Sequence, residues 1–132
     1  IGGSSAGALA AIYAVVGRPG VFGRLLIESP SLYLDEGHVF RDAAGITSWP
    51  ARVFLGVGSN ESNWPTCDPA VIPTGGLVND VHRFERLLRE AGVDSGRTRT
   101  VVVPCGMHNE AACAARLPEA FSFLYALARQ GG

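Results

Sequence analysis

Short apolar runs alternate along this chain with segments in which apolar residues recur at helical spacing, and this alternation constrains the fold most. Residues 22–28, 52–58 and 99–104 read as buried strands. Residues 5–16 and 77–91 read as helices, and Leu117, Phe121, Leu124, Tyr125 and Ala128 mark a last one. Strands that alternate with helices predict an α/β fold with a parallel sheet and right-handed crossovers.

Glycine and proline set the expected ends of these elements. The cluster at residues 17–20 stops the first helix, Gly92 ends the second, and Pro118 is placed near the first turn of the last. We predict irregular structure for residues 32–50 and 59–76.

Length and composition limit the chain to at most one compact unit. It has 132 residues, of which 47% are hydrophobic, and its net charge is -1. All eleven basic residues are arginines, and they are scattered, which argues against a nucleic-acid or membrane partner. No apolar stretch approaches the ~18 residues of a membrane span. We expect a soluble globular protein, with a cytoplasmic location favoured and the oligomeric state open.

Three cysteines, Cys67, Cys105 and Cys113, are too few and too irregularly spaced for a recognisable framework. Their number is odd, and no C-x-x-C pair occurs. We therefore expect neither a disulfide framework nor a zinc site.

The predicted sheet is small for an independent domain. Three strands would leave an edge and an apolar face uncovered. We expect residues 1–132 to form a single, incomplete domain that is the C-terminal part of a larger one.

A possible nucleophile lies directly before the first helix. Residues 3–7 read G-x-S-x-G, with Ser5 at the centre and small residues on both sides. The backbone amide of Ala6, at the helix N-terminus, can donate to a developing oxyanion. Ser4 is the competing nucleophile, and a glycine-rich helix cap is the alternative without chemistry.

One of the three histidines follows a predicted strand. His108 comes after the strand at residues 99–104, at the carboxyl edge of the sheet where Ser5 also falls. His38 lies in a loop and His82 on the exposed side of a helix, so we expect both at the surface.

An acid that orients the histidine is expected at the same edge. Glu61 lies three residues beyond the strand ending at Gly58, Asp68 is the second candidate, and Asp80 is expected to cap or decorate the next helix. A solvated loop acid is the alternative for Glu61. The order Ser5, Glu61, His108 is the order of an α/β-hydrolase triad.

Other residues follow strands on this edge and are predicted to contact a substrate. They are Ser4, Ser29, Ser31, Tyr33 and Trp64.

The sequence resembles an esterase family of α/β-hydrolases that includes enterochelin esterase-like and esterase D-like enzymes. The resemblance is carried by IGGSSAGALAAIYA, RPGVFGRLLIESPSLYL, FLGVGSNE and GMHNEAACAARLPEAFSFLY, and so covers nearly the whole chain. It implies hydrolysis of a small-molecule carboxylic ester through an acyl-enzyme, with Ser5 as nucleophile, His108 as base and Glu61 as its orienter. No cofactor or metal is expected.

The same resemblance implies further expectations. About half of the family domain, including the second oxyanion-hole donor, would precede Ile1, so the isolated chain is expected to be weakly active or misfolded. An acyltransferase on the same triad and a non-catalytic binding module of this fold are the alternatives.

Overall fold

The computed structural model describes residues 1–126 and is built around a four-stranded parallel sheet. The strands lie side by side in chain order: β1 (Gly2–Ser4), β2 (Arg24–Glu28), β3 (Arg52–Asn60) and β4 (Thr98–Met107). The helices are α1 (Ala6–Gly17), α2 (His38–Ala44), α3 (Gly76–Glu90) and α4 (Glu110–Leu124), and a 3₁₀ turn at Leu34–Gly37 precedes α2. The predicted α/β class with a parallel sheet is confirmed.

Helices cover both faces of the sheet. Side chains such as Ile27 and Leu55 pack with α1, α2 and α3 in the larger core, whereas Phe54 packs with Ala120 and Leu124 of α4 on the other face. Neighbouring residues of a strand point to opposite faces, so a strand covered on both sides must be apolar along its length. This explains why β3, buried at every position after Arg52, reads as an apolar run through Gly58, before the polar residues Ser59 and Asn60 at its carboxyl end.

The prediction of three buried strands is wrong for β4. Only its first residue, Thr98, is buried, and Val101, Val102 and Val103 are half-buried. Within the described residues β4 pairs with β3 alone, so it lies at an edge of the sheet.

A helix occupies part of the region predicted to be irregular. α2 has seven residues, and Val39, Phe40 and Ala43 bury one side of it in the larger core. Two turns are too short to show helical periodicity in a sequence, so α2 was not expected.

The last helix begins earlier than the sequence indicated. The Asn109 side chain accepts a hydrogen bond of 2.8 Å from the Ala112 amide and caps α4, which starts at Glu110. Pro118 is therefore inside the helix and not in its first turn. Proline lacks the N–H that would bond to the Ala114 carbonyl, so the helix tolerates one missing bond there. Ala128 lies outside the described residues.

β4 extends beyond the predicted strand at residues 99–104, because residues 105–107 also belong to it. Gly58 pairs with Val103, and two residues later Asn60 pairs with Met107, so β4 carries extra residues in a bulge. Cys105 in this bulge has a φ of 56°. The bulge returns β4 to β3 and places His108 directly after the last paired residue.

A single disulfide joins two of the cysteines, which the sequence did not predict. Cys67 lies in the loop after β3 and Cys105 in the β4 bulge, with their Cα atoms 5.8 Å apart, while Cys113 is free. An odd number of cysteines prevents all of them from pairing but still allows one disulfide. The two cysteines are 38 positions apart in sequence, so their spacing did not indicate the contact.

We predict that this disulfide stabilises the protein substantially. It closes a loop of 38 residues, which by the chain-entropy argument contributes about 4 kcal/mol to the free energy of unfolding. Urea unfolding with and without reductant measures this contribution. The variant Cys67→Ser/Cys105→Ser should match the reduced protein and no longer respond to reductant, whereas Cys113→Ser should still respond. Equal unfolding midpoints for reduced and oxidised protein would contradict the prediction.

Candidate active site

The carboxyl edge of the sheet brings together the three side chains predicted to act as a triad. Ser5 follows β1, Glu61 follows β3 and His108 follows β4. His108 Nε2 lies 3.0 Å from Ser5 Oγ, and His108 Nδ1 lies 2.7 Å from Glu61 Oε2. The parallel strands produce this convergence, because their carboxyl ends all meet at one edge.

Ser5 occupies a strained turn between β1 and α1. Its φ is 56° and its ψ is -125°, a conformation that residues other than glycine rarely adopt. Hydrogen bonds hold the turn on both sides: the Ser5 amide donates to the Glu28 carbonyl at 2.9 Å, and the Ser5 carbonyl accepts from the Ser31 amide at 3.2 Å. The hydroxyl is thereby held above the sheet edge.

The two glycines around Ser5 are not equivalent. A Cβ at Gly3 would lie 2.5 Å from the Gly7 carbonyl carbon, so only glycine fits there. A Cβ at Gly7 would meet no described atom within 4 Å. Within the described residues, packing therefore requires a small residue at Gly3 and not at Gly7.

The predicted oxyanion donor, Ala6, is the first residue of α1. The first amides of a helix have no acceptor inside the helix, and they lie at its positive dipole end. The Ala6 amide is therefore suited to donate to an anionic oxygen beside Ser5.

Glu61 is held so that one oxygen faces the histidine. Its side chain is 6% exposed. Oε1 accepts hydrogen bonds from the Gly58 amide at 2.6 Å and from the Ser29 hydroxyl at 2.7 Å, which leaves Oε2 for His108. Because a carboxylate only accepts, the proton lies on His108 Nδ1 and Nε2 is free to accept from Ser5.

Ser31 supports the Ser5 hydroxyl. The two Oγ atoms lie 3.1 Å apart, and Ser31 is 4% exposed. If Ser5 donates its proton to His108, the Ser31 hydroxyl must be the donor to Ser5 Oγ.

Asn63 clamps the main chain of His108 and was not identified from the sequence. Its Oδ1 accepts from the His108 amide at 2.7 Å, and its Nδ2 donates to the His108 carbonyl at 3.3 Å. Asn63 adopts a φ of 57°, a backbone region in which asparagine is enriched. A loop asparagine carries no sequence signal for such a contact.

The other acids considered in the sequence lie elsewhere. Asp68 Oδ1 accepts from the Ala70 amide at 2.9 Å and forms a local turn. Asp80 lies inside α3, where burial raises the pKa of its carboxyl and the Arg83 charge partly opposes that effect.

The other histidines form local contacts near the surface. His38 Nδ1 lies 3.2 Å from Asp35, and His82 Nδ1 lies 3.4 Å from Glu85. Both side chains are substantially exposed, as predicted.

A cavity of about 240 Å³ opens beside the Ser5 hydroxyl. It is lined by Ser4, Ser5, Ser29, His108, Asn109, Glu110 and Cys113. Of the residues predicted to contact a substrate, Ser4 and Ser29 line this cavity, whereas Ser31, Tyr33 and Trp64 do not. Tyr33 and Trp64 are 58% and 69% exposed. The main chain of Trp64 is instead bonded to the Asn60 side chain.

A buried ion pair adjoins Ser29 and was also missed. Arg116 of α4 donates from Nε to Glu28 Oε2 at 2.6 Å, and both residues are almost fully buried. Burial raises the pKa of Glu28, the Arg116 charge opposes this, and the Glu61 charge raises it further. A lone arginine among alanines in the sequence gives no sign of such a partner.

Within residues 1–126, no group of three or more histidine, cysteine, aspartate or glutamate side chains is arranged to hold a metal ion. None of the helices in this range is long and apolar enough to cross a membrane.

A parallel α/β sheet with serine, glutamate and histidine in this chain order at its carboxyl edge defines part of an α/β-hydrolase-like fold. The chain is similar in structure to siderophore hydrolase EstB from Aspergillus nidulans, with a TM-score of 0.61 and 19% identity. The likeness covers 98% of this chain and 50% of that one, so the chain spans half of the length of EstB. At this identity the likeness shows the fold. No family model and no curated protein matches the sequence.

Proposed function

We propose that this protein is a serine carboxylic-ester hydrolase that acts through an acyl-enzyme. The observation that carries the proposal is the continuous hydrogen-bond chain from Ser5 Oγ through the His108 ring to the Glu61 carboxylate. Each member has the neighbour that nucleophilic catalysis requires: a base for the hydroxyl and an acceptor that orients the base.

The proposed reaction has two halves. Ser5 Oγ attacks the ester carbonyl carbon while its proton moves to His108 Nε2, and the carbonyl oxygen becomes an anion facing the Ala6 amide. The carbon–oxygen bond to the alcohol breaks, and His108 returns the proton to that leaving oxygen. Water then attacks the acyl-Ser5 ester and gives a proton to His108. The bond between the acyl carbon and Ser5 Oγ breaks, His108 returns that proton to Ser5 Oγ, and the acid leaves. Glu61 stabilises the imidazolium in both halves.

The structural likeness supports this proposal at a coarse level. The neighbour is by its name a siderophore hydrolase, and it shares the fold over nearly the whole of this chain. The proposal names esters as a class, because it rests on the nucleophile and its base and a fold by itself does not define a substrate.

A fluorophosphonate probe tests the proposal directly, because it phosphonylates an activated serine and releases fluoride. We expect one adduct by intact mass, mapped to the Ser5 peptide, together with turnover of p-nitrophenyl esters. Transfer to an added alcohol in preference to water would identify an acyltransferase. A folded protein that takes no label and turns over no ester would overturn the proposal in favour of a binding module.

A further inference from the structure

We propose that Arg116 and Ser29 are positioning residues that hold Glu61 in its working orientation, an inference that rests on the proposed function. Ser29, which was predicted to contact substrate, borders the cavity beside Ser5, but it is only 1% exposed and its hydroxyl is bonded inside the protein. Arg116 Nη2 donates to Ser29 Oγ at 2.9 Å, and Ser29 Oγ lies 2.7 Å from Glu61 Oε1.

The chemistry of arginine fixes the direction of this chain. A guanidinium has only donors, so the Arg116 N–H must point at Ser29 Oγ and the Ser29 proton must point elsewhere. The oxygen of Glu61 is the acceptor within reach. The Ser29 hydroxyl therefore accepts from Arg116 and donates to Glu61, and the Cys113 thiol, 3.8 Å from Ser29 Oγ, is a second group that can donate to it.

The two hydrogen bonds to Glu61 Oε1 hold the carboxylate so that Oε2 faces His108. With the Gly58 amide and the Ser29 hydroxyl both donating to Oε1, rotation of the carboxylate would break two hydrogen bonds. Oε2 therefore stays on His108 Nδ1 at 2.7 Å and keeps the proton there.

The charge of Arg116 is also placed so that it does not neutralise Glu61. Arg116 lies in direct contact with Glu28 and reaches Glu61 only through a neutral hydroxyl. The Arg116 charge is thus matched mainly to Glu28, and the Glu61 charge remains available to the imidazolium that forms when His108 takes the serine proton.

The positions of these residues in the fold explain why one helix can control the acid. Helix α4 begins two residues after His108, and Arg116 lies two turns along it, on the side packed against the ends of β2 and β3. Ser29 itself adopts a φ of 41°, an uncommon conformation for serine. The strained turn after β2 aims its hydroxyl between Arg116 and Glu61.

Ser29→Ala is the first test, because it removes the hydroxyl and leaves the Arg116 pair with Glu28 intact. We expect kcat for ester hydrolysis to fall about 10-fold while KM changes less than about two-fold, because only orientation is lost. We also expect the downfield proton resonance of His108 Nδ1–H to shift or broaden. A purely structural role would leave that resonance unchanged.

Arg116→Met is the second test. It must be combined with a second substitution, because on its own it leaves the buried Glu28 carboxylate without its ion-pair partner. The variant Glu28→Gln/Arg116→Met removes both charges and should restore stability towards that of the wild type. It should show the same 10-fold loss of kcat and the same altered resonance as Ser29→Ala, since the hydrogen bond from Arg116 to Ser29 Oγ is lost. Adding Ser29→Ala to it should cause little further loss, as expected for residues of one chain. Arg89→Met, at an exposed pair with Glu85 on α3, is the control.

The outcomes separate the two proposals. Wild-type kcat and an unchanged His108 resonance in Ser29→Ala, or full recovery of kcat in the double variant, would overturn the positioning role. If the wild type itself takes no fluorophosphonate label, the proposed function fails. The resonance still reports in that case whether Arg116 and Ser29 position Glu61 against His108.

Discussion

Replacing Ser5 with alanine should lower kcat for ester hydrolysis by about 10⁴- to 10⁶-fold, the range seen when a triad nucleophile is removed. His108 Nε2 would then face a methyl group in place of the hydroxyl now at 3.0 Å, and no acyl-enzyme could form. Substrate binding should change little, because the loss falls on the reacting oxygen. Steady-state kinetics with p-nitrophenyl esters measure the effect, and the fluorophosphonate adduct should disappear in parallel.

Ser4→Ala is the matched comparison for this variant. Ser4 lies next to Ser5 and lines the same cavity, but the hydrogen bonds to His108 and Ser31 are made by Ser5. We expect Ser4→Ala to keep the adduct on Ser5 and to lose less than about 10-fold in kcat. An adduct on Ser4, or equal losses in the two variants, would show that the nucleophile has been misassigned.

The placement of the triad candidates could be predicted because it follows from topology. Once three apolar runs are read as parallel strands, the residues that follow them must meet at one edge. Ser5, Glu61 and His108 each follow a strand within a few positions. The observed strand ends differ from the predicted ones by up to three residues. The three side chains still meet, because each of them reaches several ångströms from its backbone.

Features that depend on the path of a loop could not be predicted. The Cys67–Cys105 disulfide requires both the bulge in β4 and the course of the long loop after β3. Asn63 contacts His108 for the same reason. Trp64, only one residue further on, is exposed and away from the cavity. In such a loop, sequence position does not decide which side chain faces the site.

The role of Ser29 shows a second limit. It follows β2 at the catalytic edge, which correctly places it near the site, but whether a hydroxyl faces a cavity or a buried partner depends on tertiary packing. Arg116 comes from α4, 87 positions away, and turns the Ser29 hydroxyl inward. Charged residues are rarely fully buried without a partner, so a buried arginine becomes informative only once its neighbours are known.

Glu61→Gln should lower kcat by about 10⁴-fold, although it changes the size of the side chain very little. The Gly58 amide and the Ser29 hydroxyl both donate to Oε1, so the glutamine carbonyl oxygen must take that place. Its NH₂ group then faces His108 Nδ1, which has to become an acceptor. The ring proton moves to Nε2, where it faces Ser5 and blocks removal of the serine proton.

Asp68→Asn is the matched control for Glu61→Gln. Asp68 was the second candidate for the acid, but its carboxylate accepts from the Ala70 amide in a local turn. We expect Asp68→Asn to keep kcat within about two-fold of the wild type. The His108 Nδ1–H resonance should disappear in Glu61→Gln and persist in Asp68→Asn. A large loss in Asp68→Asn would point to Asp68 as the acid. Full activity in Glu61→Gln would show that Glu61 is only a buried acid, because an amide can replace a carboxylate in packing but its NH₂ group cannot accept the proton that His108 must carry on Nδ1.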